Sequence, residues 1–425
     1  MTYDRMNQAE LEAALAAERE RYDAFLRAKL SLNMARGKPS RKQLDQVSDI
    51  LTALTDCDLC VDEGIDSRNY GELFGLPSAR RYWAEILGCR ENQTFVGGSS
   101  SLTMMYEVLN FAWNHGLKNS VRPWRQEEKV KFLCPTPGYD RHFRVTQFLG
   151  AELIPVPMTA CGPDMDRVEE LVKDPAVKGI WCVPKYSNPQ GITYSAETVE
   201  RMAALRCAAP DFVIMWDNAY CIHEFKGGYV EFPDIISLCA EKGNPDMVYE
   251  FASTSKVTFP GAGFSVVASS EENIRHLGKL MGNMMICFDK VNQLRHVKYL
   301  KNKEHTLEIM KRHAAFLEPK FRVVAEALNR EIAPCGFGSW TDPVGGYFVC
   351  MDTMPGTAKR ALQLCGEAGV TMTPAGATHP YGIDPEDKTI RIAPSFPPVE
   401  ELETAMQVFC CCVKIAALEK RTGRI

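Results

Sequence analysis

Apolar and polar positions follow two rhythms along this chain. From about residue 90 onward, short apolar runs with strand character recur. They are Gln93–Val96, Val130–Cys134, Glu152–Val156, Gly179–Val183, Phe212–Trp216, Met247–Phe251 and Phe264–Ala268. Segments with helical spacing separate most of them, for example Leu102–His115 and Ala196–Ala208. Strands alternating with helices predict a mostly parallel seven-stranded sheet covered on both faces. The last strands follow closely on one another, which allows an antiparallel member. The first ~30 residues predict one amphipathic helix with charges on its outer side. The stretch Leu30–Ser40, with Gly37 and Pro39, predicts a loop. A long charged helix over Lys298–Asn329 leads to strands at Gly346–Met351 and Thr389–Ala393, then a C-terminal helix. The expected fold is α/β, with a large domain over residues 50–305. A smaller α+β domain is built from 1–49 and 306–425.

Composition narrows the class. The chain has 425 residues, 45% hydrophobic and 24% charged, enough for a large core. Its net charge is -5 with the signs interspersed, so no basic stripe points to nucleic acid. No apolar run approaches the roughly 20 residues of a membrane span, and the N-terminal stretch lacks the apolar core of a secretion signal. The expected location is cytoplasmic. The 16 cysteines then read as reduced, small hydrophobes, Cys134, Cys182, Cys350 and Cys410–Cys412 among them. Cys57 and Cys60 form a C-x-x-C pair with no further ligand at metal-site spacing, so no metal is expected.

Ligands of α/β sheets bind at the carboxyl ends of strands, and five motifs fall there. Val96-Gly97-Gly98-Ser99-Ser100-Ser101 joins a strand to a helix start. Glycines admit a close ligand, and the helix N-terminus suits a phosphate or a plain serine cap equally. Ser187-Asn188-Pro189-Gln190-Gly191 alone would be an ordinary turn. Trp216-Asp217-Asn218-Ala219-Tyr220 closes an apolar strand with a carboxylate, which needs a partner if buried. Ser253-Thr254-Ser255-Lys256 places a lysine where desolvation makes a nucleophilic amine. Arg391, on a strand of the second unit, can clamp a carboxylate bidentately.

Taken together and in this order, these motifs resemble the fold-type I pyridoxal-phosphate enzymes. More closely, they resemble the aspartate aminotransferase superfamily, over residues 30–415. Ala35–Pro39, Gly97–Leu102 and Ser253–Gly263 look most like a divergent bacterial aspartate aminotransferase branch. The resemblance implies pyridoxal 5'-phosphate as cofactor and amino-acid and 2-oxo-acid substrates. Lys256 matches the lysine that holds the cofactor and shuttles the Cα proton. Asp217 matches the partner of the ring nitrogen. Asn188 and Tyr220 match the residues that bond the ring oxygen, and Tyr139 the aromatic stacked on the ring. Gly98, Ser99, Ser100, Ser253 and Ser255 match the phosphate cradle. Arg391, with Gly37 and Asn188, matches the substrate-carboxylate site. Tyr70 resembles a tyrosine that reaches the phosphate of a neighbouring subunit, which implies a homodimer with shared sites.

One position departs from the pattern. The family's phosphate-binding arginine, eight residues after the lysine, is Phe264 here. A dicarboxylate substrate also needs a distal cation, for which Arg36, Lys38 and Lys290 are candidates. The reaction expected is aspartate:2-oxoglutarate amino transfer by a ping-pong mechanism. Transfer from aromatic or other neutral amino acids, or other pyridoxal chemistry on the same scaffold, is the alternative. A transcription regulator with an aminotransferase-like domain would need a winged-helix module, for which there is no room before Leu30. A cofactor-free scaffold would leave Lys256 and Asp217 as costly buried charges.

Overall fold

The alternating pattern from residue 90 folds into one large sheet in the computed structural model, which describes residues 3–425. Met1 and Thr2, inside the expected first helix, lie outside the described residues. In spatial order the strands are Thr94–Val96, Ser265–Ala268, Val248–Ser253, Val213–Asp217, Val177–Cys182, Lys131–Thr136, Glu152–Thr159 and the two-residue edge Gly162–Pro163. Ser265–Ala268 runs antiparallel to both neighbours, and the four central pairings are parallel. The seven expected strands are therefore present, with one short edge strand added. Both faces are covered. One apolar cluster gathers Trp83, Ile180, Ile214, Trp216 and Phe264; the opposite one gathers Phe95, Met104, Phe132, Trp181 and Phe251. Alternate residues of each strand feed the two clusters, as strand geometry requires.

A third cluster unites the chain's two ends. Leu11, Leu15 and Tyr22 of the first helix pack with Val324, Leu328, Phe409 and Leu418. That first helix, Gln8–Ala28, starts at a reciprocal cap between Asn7 and Glu10. The C-terminal helix Val399–Arg421 buries Cys410, Cys411 and Cys412 fully. A three-stranded antiparallel sheet contains Ser339–Trp340, Val349–Asp352 and Thr389–Ile392. No helix among the described residues is long and apolar enough to cross a membrane.

Several boundaries differ from the sequence reading. The single helix expected over Lys298–Asn329 is two helices, Lys290–Leu300 and Lys303–Glu331. The chain breaks at Lys301, with φ 62°, and Asn302 recaps by accepting from the His305 N–H. The helix expected to reach Ala208 ends at Ala203. The loop over Leu30–Ser40 contains a two-residue strand, Leu32–Asn33, parallel to Val370–Thr371. That pairing fixes the start of the segment that reaches the cavity described next.

Candidate functional site

A cavity of about 1120 Å³ opens at the carboxyl ends of the central strands. Its wall includes Gly37, Ser100, Tyr139, Asn188, Asp217, Tyr220, Ser253, Ser255, Lys256 and Arg391. Most of the residues singled out in the sequence thus meet in one place, although they span more than 350 positions of chain. Gly98 and Ser99 stand just behind this wall. The Gly98 carbonyl accepts from the Ser265 amide and hydroxyl at 2.8 and 2.9 Å. The Ser99 carbonyl accepts from the Ser255 hydroxyl at 3.4 Å. Tyr70 stands apart, 79% exposed.

Lys256 ends the single 3-10 turn Thr254–Lys256 that follows the strand Val248–Ser253. Its ammonium lies 4.9 Å from the centre of the Tyr220 ring and 5.9 Å from that of Tyr347. Burial holds the amine below the ordinary lysine value, and the Asp217 carboxylate partly opposes that shift. A lowered value raises the fraction of free amine, the form that attacks a carbonyl.

Asp217 closes the strand Val213–Asp217 and is buried. Its Oδ2 accepts from His142 Nε2 at 2.9 Å, and its Oδ1 is buried with no partner among the described residues. A buried carboxylate oxygen left unpaired is costly in isolation; a cationic ring nitrogen would satisfy it. The sequence reading missed His142. The imidazole stacks on Trp181 with centroids 4.1 Å apart, so its orientation is fixed. Its position in the first turn of Asp140–Leu149 gave no signal of its own.

At the end of the cavity where the sequence reading expects a phosphate, the donors are uncharged. The helix Ser101–Asn114 starts after Ser100, whose side chain makes no cap hydrogen bond. The N–H groups of its first turn are therefore open to another acceptor. Ser253 and Ser255 hydroxyls lie 3.1 Å apart beside it. Phe264 faces away from this cradle, buried against Trp83, Tyr82 and His296.

The opposite end is cationic. Arg391 Nη1 donates to Asn188 Oδ1 at 3.1 Å and to Asp140 Oδ1 at 3.3 Å, while Nε donates to Thr373 Oγ1 at 3.3 Å. Arg36, Lys38, Arg141 and Arg144 line the same cavity. The Lys38 ammonium sits 3.9 Å from the centre of the Phe396 ring. Arg141 and Arg144, one helical turn apart, were not anticipated; helix periodicity from Asp140 places both on one side. Lys290 is corrected. It is buried outside the cavity, and its ammonium donates to the carbonyls of Asn69 and Gly71 at 2.5 and 3.0 Å. Gly37 allows a close approach, since a Cβ there would lie 2.5 Å from the Phe348 ring.

Among known proteins, the family model described as aspartate amino-transferase matches residues 6–425. An aspartate aminotransferase of Corynebacterium glutamicum is 45% identical over 401 residues, 94% of this chain and 93% of that protein. The crystal structure of an aspartate transaminase from the same species superposes with a TM-score of 0.97 at 43% identity, covering 99% of each chain. An α-aminoadipate aminotransferase from Thermus thermophilus, complexed with N-(5'-phosphopyridoxyl)-L-leucine, shares the fold. Its TM-score is 0.74 at 21% identity, covering 91% of this chain and 93% of that one.

Proposed function

This chain belongs to the aspartate aminotransferase family, and from that premise we propose that it carries aspartate:2-oxoglutarate amino transfer on pyridoxal 5'-phosphate held by Lys256. It is an aminotransferase of the fold-type I class. The observation that carries the finer reading is one cavity with an unpaired lysine and an unpaired carboxylate oxygen at its floor and a surplus of cations at its mouth. Six cationic side chains line it against two carboxylates, Asp140 and Asp217. The phosphate end draws on amides and hydroxyls, so the surplus serves the substrate. A neutral amino acid offers one carboxylate, already matched by Arg391; a dicarboxylate uses the rest.

The residues present fit the cofactor, because Asp217 Oδ1 lacks a partner that a ring N–H would supply. When bound, pyridoxal phosphate supplies an electron sink that makes the substrate Cα–H acidic. The chain's own groups do the rest. Asp217, oriented by His142, would hold a proton at the ring nitrogen. Asn188 and Tyr220 would bond the ring oxygen, and Tyr139 would cover the ring. Ser99, Ser100, Ser253, Ser255 and the Gly98 backbone would hold the phosphate. Arg391 grips the α-carboxylate and thereby fixes which Cα bond faces Lys256. The Lys256 amine would take the proton from the substrate Cα, hold it as the ammonium and give it back on the same face. Ping-pong order follows from one site serving donor and acceptor in turn.

The same reading divides the chain into a large domain over 50–305 and a small one from 1–49 with 306–425. It makes the active form a cytoplasmic homodimer in which exposed Tyr70 completes the neighbour's phosphate site. The test is the ratio of kcat/KM for L-aspartate over L-phenylalanine with 2-oxoglutarate as acceptor. A ratio well above one supports the reading, and a ratio below one replaces it with a neutral-substrate enzyme. Sedimentation velocity tests the dimer.

A further inference from the structure

The turn that carries Lys256 is braced from behind by groups that the reaction does not touch. A helix as short as Thr254–Lys256 cannot satisfy its own last carbonyls. The Val257 carbonyl, on the residue after the lysine, accepts instead from His313 Nε2 at 3.0 Å.

Hydrogen bonding further back forces that histidine's tautomer. Gln43 Oε1 accepts from the Ser40 amide and hydroxyl at 3.0 and 3.2 Å. The Gln43 NH₂ group therefore points the other way, 3.4 Å from both the Tyr347 hydroxyl and His313 Nδ1. An NH₂ group only donates, so Nδ1 accepts and the His313 proton sits on Nε2, aimed at Val257. Gln43, His313 and Tyr347 are all fully buried. Burial pushes His313 down to about 4, so this tautomer persists at neutral pH.

The other flank of the turn is held in the same manner. The Thr258 hydroxyl donates to His296 Nε2 at 2.9 Å, while His296 Nδ1 donates to the Asn292 carbonyl at 2.8 Å. His223 packs edge-on to Tyr220 and Tyr347 in the same layer, with both ring nitrogens buried and unpartnered.

Gln43 also faces forward along the chain. It lies five residues after Lys38, and the segment Ala35–Lys38 lines the cavity. That segment is pinned by the Ser395 hydroxyl, which donates to the Lys38 carbonyl at 3.0 Å. Buried hydrogen bonds therefore run from Ser40, two residues after Lys38, through Gln43 and His313 to the Lys256 turn. Losing any member leaves its neighbours unsatisfied away from water.

We propose that Gln43 and His313 are positioning residues for Lys256, through which the seating of residues 35–38 fixes the reactive amine. The inference rests on the reading of Lys256 as the cofactor-holding lysine. It is tested on cofactor-free protein, wild type and Gln43→Met, His313→Leu and His313→Gln. Uptake of pyridoxal phosphate is followed by the absorbance of the bound form, alongside thermal melting and the kcat and KM for aspartate. Gln43→Met and His313→Leu should take up cofactor about tenfold more slowly or worse. His313→Gln, which can still donate to the Val257 carbonyl, should recover most of the rate. Gln43→Met should also raise KM, because it frees the segment 35–38. Folded variants that bind cofactor and turn over like wild type, whatever their melting temperatures, overturn the proposal. Should His313→Leu fail to fold, Gln43→Met carries the test. Wild type that takes up no cofactor defeats the Lys256 reading itself, and this inference with it.

Discussion

Replacing Arg391 tests the substrate end of the site with a magnitude that follows from its contacts. The guanidinium is mostly buried, so solvent screens it little. Asn188 and Asp140 share Nη1, Thr373 holds Nε, and among the described residues nothing accepts from Nη2. An incoming α-carboxylate can therefore take Nη2 and compete with Asp140 for Nη1, a two-pronged charge-assisted contact. Hydrogen bonds to charged groups are worth roughly 1.5–3 kcal/mol each, so losing both costs roughly 3–6 kcal/mol. Arg391→Gln should then lower kcat/KM by about 10²- to 10⁴-fold. Arg391→Lys, which keeps the charge and loses the fork, should fall by about 10- to 100-fold. The assay is steady-state amino transfer from aspartate and from alanine to 2-oxoglutarate. Because every amino acid carries the α-carboxylate, both donors should suffer alike. A fall of less than fivefold (about 1 kcal/mol), or one confined to aspartate, would refute the assignment of Arg391 to that group. Asp140→Asn should move the other way and lower KM, since it removes the anion that now competes for Nη1.

Arg141→Gln with Arg144→Gln should reduce aspartate turnover far more than alanine turnover, measured as the ratio of their kcat/KM values; an unchanged ratio removes them from distal recognition. His142→Phe should keep the stack on Trp181 but free Asp217, lowering kcat with little change in KM; rates equal to wild type would show that Asp217 needs no orienting partner. Gly37→Val should raise KM and depress stability, because a side chain there meets the Phe348 ring, and a melting curve with steady-state kinetics checks both. Glu250 gives a stability prediction. Burial pushes its carboxyl up to about 8, with Asn218 donating to it and its second oxygen unpartnered. A group raised in the folded state favours folding below its unfolded value and loses that contribution as pH rises through the folded one. Wild-type stability in denaturant unfolding should therefore fall between about pH 4.5 and 8, and Glu250→Gln should flatten that slope; an unchanged slope excludes Glu250 as its source.

The fold was legible wherever a single period governed a whole segment. Seven apolar strand runs survive in the sheet because parallel strands buried on both faces need continuous apolar stretches. The long helix was misjudged because charge and periodicity continue through Lys301, while the break depends on one backbone angle and a cap by Asn302. The site's floor was legible because Asp217, Tyr220 and Lys256 sit at fixed distances from strand ends. What stayed hidden depends on tertiary placement. His142 reaches Asp217 from a helix distant in sequence, and Arg141 and Arg144 gain meaning only when their helix borders the cavity. Lys290 was misread because a lysine's sequence neighbours do not reveal that backbone carbonyls surround it. Phe264 looked like a loss at the phosphate site, but its side chain belongs to the aromatic core.

The most direct test of the central claim is a visible absorption spectrum of purified protein through one half-reaction and back. The account predicts a bound-cofactor band that collapses on adding L-aspartate and returns on adding 2-oxoglutarate, with Lys256→Ala showing no such cycle. A band indifferent to aspartate but responsive to a neutral amino acid would contradict the dicarboxylate assignment. No band after supplying pyridoxal phosphate would contradict the reading of Lys256 and Asp217 as a cofactor site.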